Sequence, residues 1–203
     1  MQIENPIADK GFLGAIRVDV GIVPAMGTAM DKLPASVDGN YLAVIEASAS
    51  SRSKFKFEKQ LGAFVLHGVL PTGTSFPYAF GFVPSTLGED GDPLDIVVLT
   101  DEAPPVGTVL PCRIVAVLRA EQIEGGKHVR NDRLLGVAAS SERFRQCHAR
   151  KDVDAKILER IANFFEFYHA EQGKRFRTIG WKGRRIAIKN LERGCAAARK
   201  QRG

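Results

Sequence analysis

The segment EDGDPLDIVV, residues 89–98, places three carboxylates within six residues, at a turn that leads into an apolar run. These carboxylates belong to Asp90, Asp92 and Asp95. Asp95 is the most informative of them, because a charge inside an apolar strand is costly unless it is paired or bound to a metal. Hard oxygen ligands clustered in this way suit Mg²⁺ or Mn²⁺. The segment therefore predicts a metal site at the start of a strand.

Two other interpretations of this segment compete with a magnesium site. In the first, the acids belong to a solvent-exposed turn and serve only solubility. In the second, they form a calcium loop of the EF-hand kind, which needs an oxygen ligand at its fifth position and glycine at its sixth. Counted from Asp90, this chain has Leu94 and Asp95 at those positions, which excludes the EF-hand.

Short apolar runs surround this segment on both sides. They are rich in Val, Ile, Leu and Phe, and Gly, Pro and Ser separate them, which is typical of short strands joined by turns. The pattern favours an antiparallel barrel or sandwich over a parallel sheet. The predicted strands are residues 41–47, 54–58, 62–70, 93–100 and 107–121.

The last third of the chain has a helical pattern instead. Between Val153 and Gln172 the apolar residues fall on one stripe of an α-helix, and a second helix is predicted over residues 184–200. The expected fold class is therefore α+β, a β-barrel with helices on its outside. Residues 1–38 show no sustained period and are predicted to be an N-terminal extension of the domain at 39–203.

Beyond the aspartates, the spacing of several stretches resembles the family I soluble inorganic pyrophosphatases, from about residue 33 to residue 191. The resemblance implies an OB-type antiparallel β-barrel with C-terminal helices. It also implies Mg²⁺-dependent hydrolysis of pyrophosphate to two phosphates, and a homo-oligomer. Besides residues 89–98, the stretches that carry it are YLAVIEAS at 41–48, KFKFEK at 54–59, FPYAFGF at 76–82, NDRLLGVA at 131–138 and IANFFEFYHAEQGK at 161–174.

The resemblance also implies a role for each matching residue. Asp92 would orient or deprotonate the nucleophilic water. Four carboxylates would bind metal ions, with Asp95 bridging two of the ions, and four further residues would contact phosphate. The implied metal ligands are Asp90, Asp95, Asp132 and Glu46, and the implied substrate-binding residues are Lys54, Arg133, Tyr168 and His169.

Several positions depart from the family's pattern, and each departure removes a group that would bind an anion or a metal. Phe76 and Phe80 stand where the family has tyrosines, and Gly68 lies where it has a phosphate-binding Arg. Lys56 replaces a Glu and Gln122 replaces a metal-binding Asp. The next carboxylate is ambiguous, because strict register places Asn131 at the metal position and a shift of one residue places Asp132 there. The lysine expected after Tyr168 is His169, whose imidazole is only partly charged near neutral pH.

Composition sets broad limits on location and partners. Three cysteines without a CxxC spacing favour reduced thiols and a cytoplasmic protein, and no apolar run reaches the length of a membrane span. Residues 174–202 contain eleven Lys or Arg and one acid. Such a segment can attract a polyanion or form the solvated face of a terminal helix. Only two stacking aromatics accompany it, which argues against nucleic-acid binding.

Three functions remain open at this level. The first is hydrolysis of inorganic pyrophosphate, at a rate reduced by the departures. The second is hydrolysis of a larger phosphoanhydride, because Gly68 leaves room beside the site. The third is a pyrophosphatase-like protein that binds a polyanion or a partner without catalysis.

Overall fold

A computed structural model of the protein describes residues 30–124 and 126–202. Most of the predicted N-terminal extension, residues 1–29, lies outside the described residues. The strands of the described part are β1 Ser36–Val37, β2 Asn40–Ala47, β3 Ser53–Glu58, β4 Ala63–Val69, β5 Ala79–Phe82, β6 Asp95–Leu99, β7 Val109–Glu124, β8 Lys127–Arg130, β9 Arg133–Ala138 and β10 Arg175–Gly183. Its α-helices are α1 Ala155–Glu171 and α2 Arg184–Arg202.

Five strands form a closed ring in the order β2-β5-β6-β9-β7, with β7 pairing back to β2. Three further strands extend the ring: β1 on β2, and β8 and β10 on β7. Strands β3 and β4 form a separate two-stranded sheet. The α+β barrel with outer helices is confirmed, but a uniformly antiparallel barrel is wrong, because β6 and β9 run parallel. The long β7 lies between β6 and β9 in the sequence and is antiparallel to β9. Strand β9 therefore lies beside β6 and runs in the same direction as β6.

The two helices cover different faces of the barrel. Helix α1 begins after Asp154, whose carboxylate accepts the Lys156 N–H at 2.8 Å and caps the first turn. Its buried stripe packs on the aromatic residues of the core, as the periodicity predicts. Helix α2 packs on β7 with Ala187 and Leu191 in the core beside it, and its Gly194 lies against Leu87 and Leu94 of the loop before β6.

The five predicted strands are present with bounds that differ by at most three residues. The described part adds five strands that the sequence analysis did not predict: β1, β5, β8, β9 and β10. Strand β10 gives a weak sequence signal because it contains Gly180, and glycine is depleted in strands. This glycine has φ +124° and lies at an irregularity in the pairing with β7, so it marks a bulge inside one continuous strand.

The last residues of the predicted extension pack on the barrel. The Leu42 N–H donates to the Ala35 carbonyl at 2.9 Å, and the Ser85 hydroxyl donates to the Leu33 carbonyl at 2.7 Å. These contacts hold residues 30–37 against the folded domain. Neither helix in the described part of the chain combines the length and the apolar character needed to cross a membrane.

The close packing of Gly81 of β5 against β2 gives a test of the fold. A Cβ atom there would lie 1.8 Å from the Val44 carbonyl oxygen of β2, which is backbone and cannot rotate away. We expect Gly81→Ala to lower the free energy of unfolding by about 3 kcal/mol. The measurement is urea unfolding, in which Gly68→Ala is the matched control.

Gly68 lies in strand β4, and a Cβ built on it meets nothing within 4 Å. We therefore expect Gly68→Ala to change the unfolding free energy by less than about 1 kcal/mol. Equal stability of the two variants would contradict the close packing of β2 on β5.

Candidate active site

A cavity of about 240 Å³ lies where the barrel meets α1 and the β3–β4 sheet. It collects eight of the nine residues that the sequence analysis assigned to the site. Four of them are acids and two are permanent cations, so the cavity is strongly polar. The eight residues are Glu46, Lys54, Asp90, Asp92, Asp95, Arg133, Tyr168 and His169.

An ion pair joins the first residues of two neighbouring parallel strands. Asp95 opens β6 and Arg133 opens β9, and the two are direct partners in the parallel ladder. Their side chains meet with Arg133 Nη1 at 2.8 Å from Asp95 Oδ2. The Arg133 guanidinium also lies 5.1 Å and 5.4 Å from the ring centres of Phe165 and Phe176. Burial and the contacts with these two rings fix this cation in place.

The nearby carboxylates are held where negative charge is costly. Burial raises the pKa of Glu46 to about 7, with Lys54 opposing the rise and Asp95 adding to it. Burial and the neighbouring Asp95 also raise the pKa of Asp90. A divalent cation would relieve both penalties, because it favours the ionised form of each carboxylate. The oxygen donors Glu46, Asp90 and Asp95 therefore suit Mg²⁺ or Mn²⁺.

Two of the three aspartates are already engaged by cations of the protein itself. Asp95 pairs with Arg133, and Asp92 accepts from Lys56 Nζ at 3.1 Å and 3.3 Å. Lys56 stands where the family resemblance predicts Glu. Within residues 30–124 and 126–202, no three His, Cys, Asp or Glu side chains form a ready metal cluster. A metal ion would therefore have to compete with these two basic residues for its ligands.

A pair of amides occupies positions where the resemblance predicts carboxylates. Asn131 Nδ2 donates to Gln122 Oε1 at 3.0 Å, and both side chains are buried. Amide oxygens are weaker ligands for Mg²⁺ than carboxylates are, because they carry no charge. This part of the cavity thus holds less negative charge than the resemblance implies.

Asp132 is the one predicted site residue that the structure places elsewhere. Its carboxylate accepts the Ala120 N–H at 3.0 Å and Asn190 Nδ2 of α2 at 2.6 Å, and it lines a neighbouring cavity beside α2. Consecutive residues of an extended chain point to opposite sides, so Asn131 takes the side toward the site. Because Asp90 and Asp95 line that neighbouring cavity as well, the metal role of Asp132 stays a prediction.

The predicted phosphate-binding residues lie on one wall of the cavity. Lys54 Nζ lies 5.1 Å above the Phe80 ring, and Tyr168 packs against Phe76. His169 stacks on Phe176 with ring centres 4.2 Å apart. Burial, with nearby Arg133 and Lys174, lowers the pKa of His169 to about 3. The imidazole is therefore neutral near pH 7, and it brings no positive charge to this wall.

Two cations of the cavity escaped the sequence analysis. Lys59 is the first residue of the β3–β4 turn and pairs with Asp31 at 3.3 Å. Lys174 follows α1, and its N–H donates to the His169 carbonyl at 3.0 Å. Both line the cavity. Both lysines end stretches that carry the resemblance, KFKFEK and IANFFEFYHAEQGK, but only the packing of the hairpin and of α1 on the barrel places them at the cavity.

A barrel cavity in which clustered carboxylates face basic side chains is typical of a metal-dependent enzyme of phosphate chemistry. Residues 43–199 match the sequence model of the family described as inorganic pyrophosphatase. The chain belongs to the inorganic pyrophosphatase family.

Individual relatives agree with this assignment. The inorganic pyrophosphatase of Thermus thermophilus is 36% identical over 157 residues, which cover 76% of this chain and 87% of that protein. The Helicobacter pylori (strain J99) protein of the same name is 36% identical over 174 residues, covering 83% and 97%. The crystal structure of the Thermus thermophilus enzyme matches with a TM-score of 0.78 at 30% identity, covering 85% of this chain and 99% of that one.

The buried neutral imidazole of His169 gives a test by pH. The unfolded chain takes up a proton near the ordinary pKa of 6.5, whereas the native state does so only near 3. The native state thus loses stability as pH falls from about 6.5 toward 3, with a slope approaching about 1.4 kcal/mol per pH unit.

His169→Gln removes this titration and leaves every other group in place. We expect the stability difference between the protein and the variant to move by roughly 2 kcal/mol in favour of His169→Gln from pH 7 to pH 5. Urea unfolding of both proteins in metal-free buffer measures it. A difference that stays constant with pH would mean that His169 is protonated normally.

Proposed function

We propose that the protein hydrolyses inorganic pyrophosphate to two phosphates with a bound divalent cation, Mg²⁺ in the first place and Mn²⁺ as a substitute. The observation that carries the proposal is the single cavity in which Asp90, Asp92 and Asp95 face Lys54 and Arg133. Membership in the family, and relatives that bear the name inorganic pyrophosphatase, support the same activity.

Each residue of the cavity has a task in this proposal. Asp90, Asp95 and Glu46 would hold the cation, which would neutralise phosphate oxygens and lower the pKa of a bound water. Asp92, which is half-exposed at the mouth of the site, orients the attacking water and takes its proton. The water oxygen bonds to one phosphorus as the bond from that phosphorus to the bridging oxygen breaks.

The phosphate groups are held by the cationic wall. Lys54 supplies a positive charge, and the Tyr168 hydroxyl supplies a hydrogen-bond donor. Arg133 contributes its charge from beneath the site, where Asp95 and the two Phe rings hold it. Neutral His169 can still form a hydrogen bond, but it does not add charge.

The same contacts predict slow turnover. Lys56 engages the oxygens of Asp92, and the amides of Gln122 and Asn131 weaken metal binding. Loss of a single oxyanion donor costs about 10²–10³ in rate, and losses among residues that act together are not additive.

A second candidate function follows from the ion pairs. If Lys56 and Arg133 hold their aspartates permanently, the site binds a phosphate-rich anion without turning it over. The pairs Lys56–Asp92 and Arg133–Asp95 favour this candidate specifically. Binding without phosphate release separates it from the first.

The activity test uses phosphate release from pyrophosphate, with Mg²⁺ and with EDTA. We expect release that requires the metal and that Asp92→Asn lowers by about 100-fold or more, because the proton acceptor is lost. Asp132→Asn is the matched control, since it makes the same change at an aspartate placed outside the cavity, and it should retain the rate within about twofold.

Several outcomes would count against the proposal. No release above the Asp92→Asn background, from folded protein at high concentration, would leave anion binding as the function. If Asp132→Asn lost as much activity as Asp92→Asn, Asp132 would have a role in catalysis or metal binding and would not be a valid control.

We also propose that the protein works in the cytoplasm as a homo-oligomer. Its three cysteines are all free, which suits a reducing compartment. The β3–β4 hairpin exposes Leu61 in its turn and Val65 and Leu66 in β4, with Leu61 69% exposed. Exposed apolar side chains grouped on one hairpin indicate an interaction surface.

Light scattering coupled to size-exclusion chromatography tests the assembly. We expect a mass that is a multiple of 22.2 kDa, and we expect Leu66→Lys to shift it toward the monomer. Phe167→Lys is the control, because Phe167 is an exposed apolar residue on α1. A monomeric protein, or an equal effect of both variants, would argue against assembly through the hairpin.

A further inference from the structure

The lysines and the arginine that line the active-site cavity fall into two groups. Three of these basic residues are paired with carboxylates, in the ion pairs Lys56–Asp92, Lys59–Asp31 and Arg133–Asp95. Lys54 and Lys174 also line the cavity, but within residues 30–124 and 126–202 neither forms an ion pair with a carboxylate. The proposed function gives Lys54 the task of holding pyrophosphate, and it leaves Lys174 without a task.

A tight turn after α1 fixes the backbone that carries Lys174. The N–H groups of Gln172 and Lys174 both donate to the His169 carbonyl, at 3.1 Å and 3.0 Å. Between them Gly173 has φ +67°, in the left-handed region that glycine adopts where helices end. The position of Lys174 beside the cavity is therefore set by the end of α1 and not by a free loop.

The charge of Lys174 acts on histidines of two different elements. Burial lowers the pKa of His67 in β4, and nearby lysines that include Lys174 lower it further. Burial also lowers the pKa of His169 in α1, and the cations that add to this effect again include Lys174. The Lys174 ammonium group therefore lies between the β3–β4 hairpin and α1, on the same wall of the cavity as Lys54.

The phosphate-binding wall extends from a buried part to an exposed part. Tyr168 is buried and Lys54 is half-buried, whereas His67, Gln172 and Lys174 are exposed. All five line the active-site cavity. We call the first two the inner wall and the last three the outer corner. The two sets form successive positions along the cavity, from its interior to its mouth.

The outer corner has the chemistry of an anion site. Lys174 supplies a fixed positive charge, and the His67 imidazole and the Gln172 amide can each donate a hydrogen bond. The corner contains no carboxylate that would repel an anion and no aliphatic side chain on which an organic group would pack. In the proposed function one phosphate lies at the aspartates and the other at the inner wall, so a phosphate at the outer corner belongs to a longer chain.

We propose that the outer corner binds the third phosphate of inorganic tripolyphosphate, and that the protein hydrolyses this compound to pyrophosphate and phosphate. This rests on the proposed function, because the same aspartates activate the water. The water oxygen bonds to the terminal phosphorus beside the aspartates while the bond from that phosphorus to the bridging oxygen breaks. The bridging oxygen leaves with the pyrophosphate, and Asp92 takes the proton of the water.

The experiment compares tripolyphosphate with pyrophosphate as substrates with Mg²⁺, and anion-exchange chromatography follows the loss of each. We expect Lys174→Gln to lower kcat/KM for tripolyphosphate by about fivefold more than kcat/KM for pyrophosphate, because a partly exposed charged contact is lost. Lys182→Gln is the matched control, since it makes the same change at an exposed lysine of β10 that does not line the cavity. It should leave the ratio of the two kcat/KM values within about twofold.

A binding measurement separates failure of this inference from failure of the proposed function. Calorimetry with Mg²⁺ uses Asp92→Asn, in which turnover is suppressed, with and without Lys174→Gln. We expect Lys174→Gln to weaken the binding of tripolyphosphate by about fivefold more than the binding of pyrophosphate. That result would support the outer corner even if the wild-type protein hydrolysed neither compound.

Three results would overturn the inference. One is hydrolysis of pyrophosphate with neither hydrolysis nor binding of tripolyphosphate. The second is an equal effect of Lys174→Gln on both compounds, which would mean that Lys174 only attracts anions to the mouth of the cavity. The third is orthophosphate that binds beside pyrophosphate and is lost in Lys174→Gln, without selective weakening of tripolyphosphate, because the corner would then hold a free phosphate.

Discussion

The ion pair between Asp95 and Arg133 is the contact on which the arrangement of the site depends. It joins the first residues of β6 and β9 where these strands run parallel, so one contact fixes strand register and site geometry together. A buried pair of this kind contributes little net stability, but loss of one partner leaves an unpaired charge that costs about 3–5 kcal/mol. The pair therefore ties the fold to the chemistry, since neither residue can change alone.

The sequence predicted the parts of the site that local patterns encode. The spacing from Asp90 to Asp95, the stripe of α1 and the lysine of β3 could each be interpreted within a short window, and the structure brings them together. The parallel pairing of β6 with β9 could not be predicted, because it depends on contacts distant in sequence. The same limit applies to Asn131 and Asp132, which directly precede β9. The pairing of β9 with its neighbouring strands decides which of the two side chains faces the cavity.

The charge state of the cavity could not be predicted from the sequence either. A lysine at position 56 was visible as a departure, but its ion pair with Asp92 depends on how the β3–β4 sheet lies against the β5–β6 loop. A histidine at position 169 could be protonated or neutral on sequence grounds. Burial against Phe176, together with nearby Arg133, decides for the neutral form. Both effects come from tertiary packing, because burial and neighbouring charges shift the pKa of a side chain away from the value that its residue type has in water.

The departures from the family's pattern differ in how closely they are tied to the barrel. Gln122 lies in β7, where its amide needs the partner that Asn131 supplies, so these two positions constrain each other. Lys56 and Gly68 belong to the β3–β4 sheet, which lies outside the closed ring. Substitutions there change the wall facing the substrate without disturbing the pairing of the barrel strands. A site divided in this way can alter the charge and size of the wall formed by the β3–β4 sheet while the Asp95–Arg133 pair and the barrel around it remain intact.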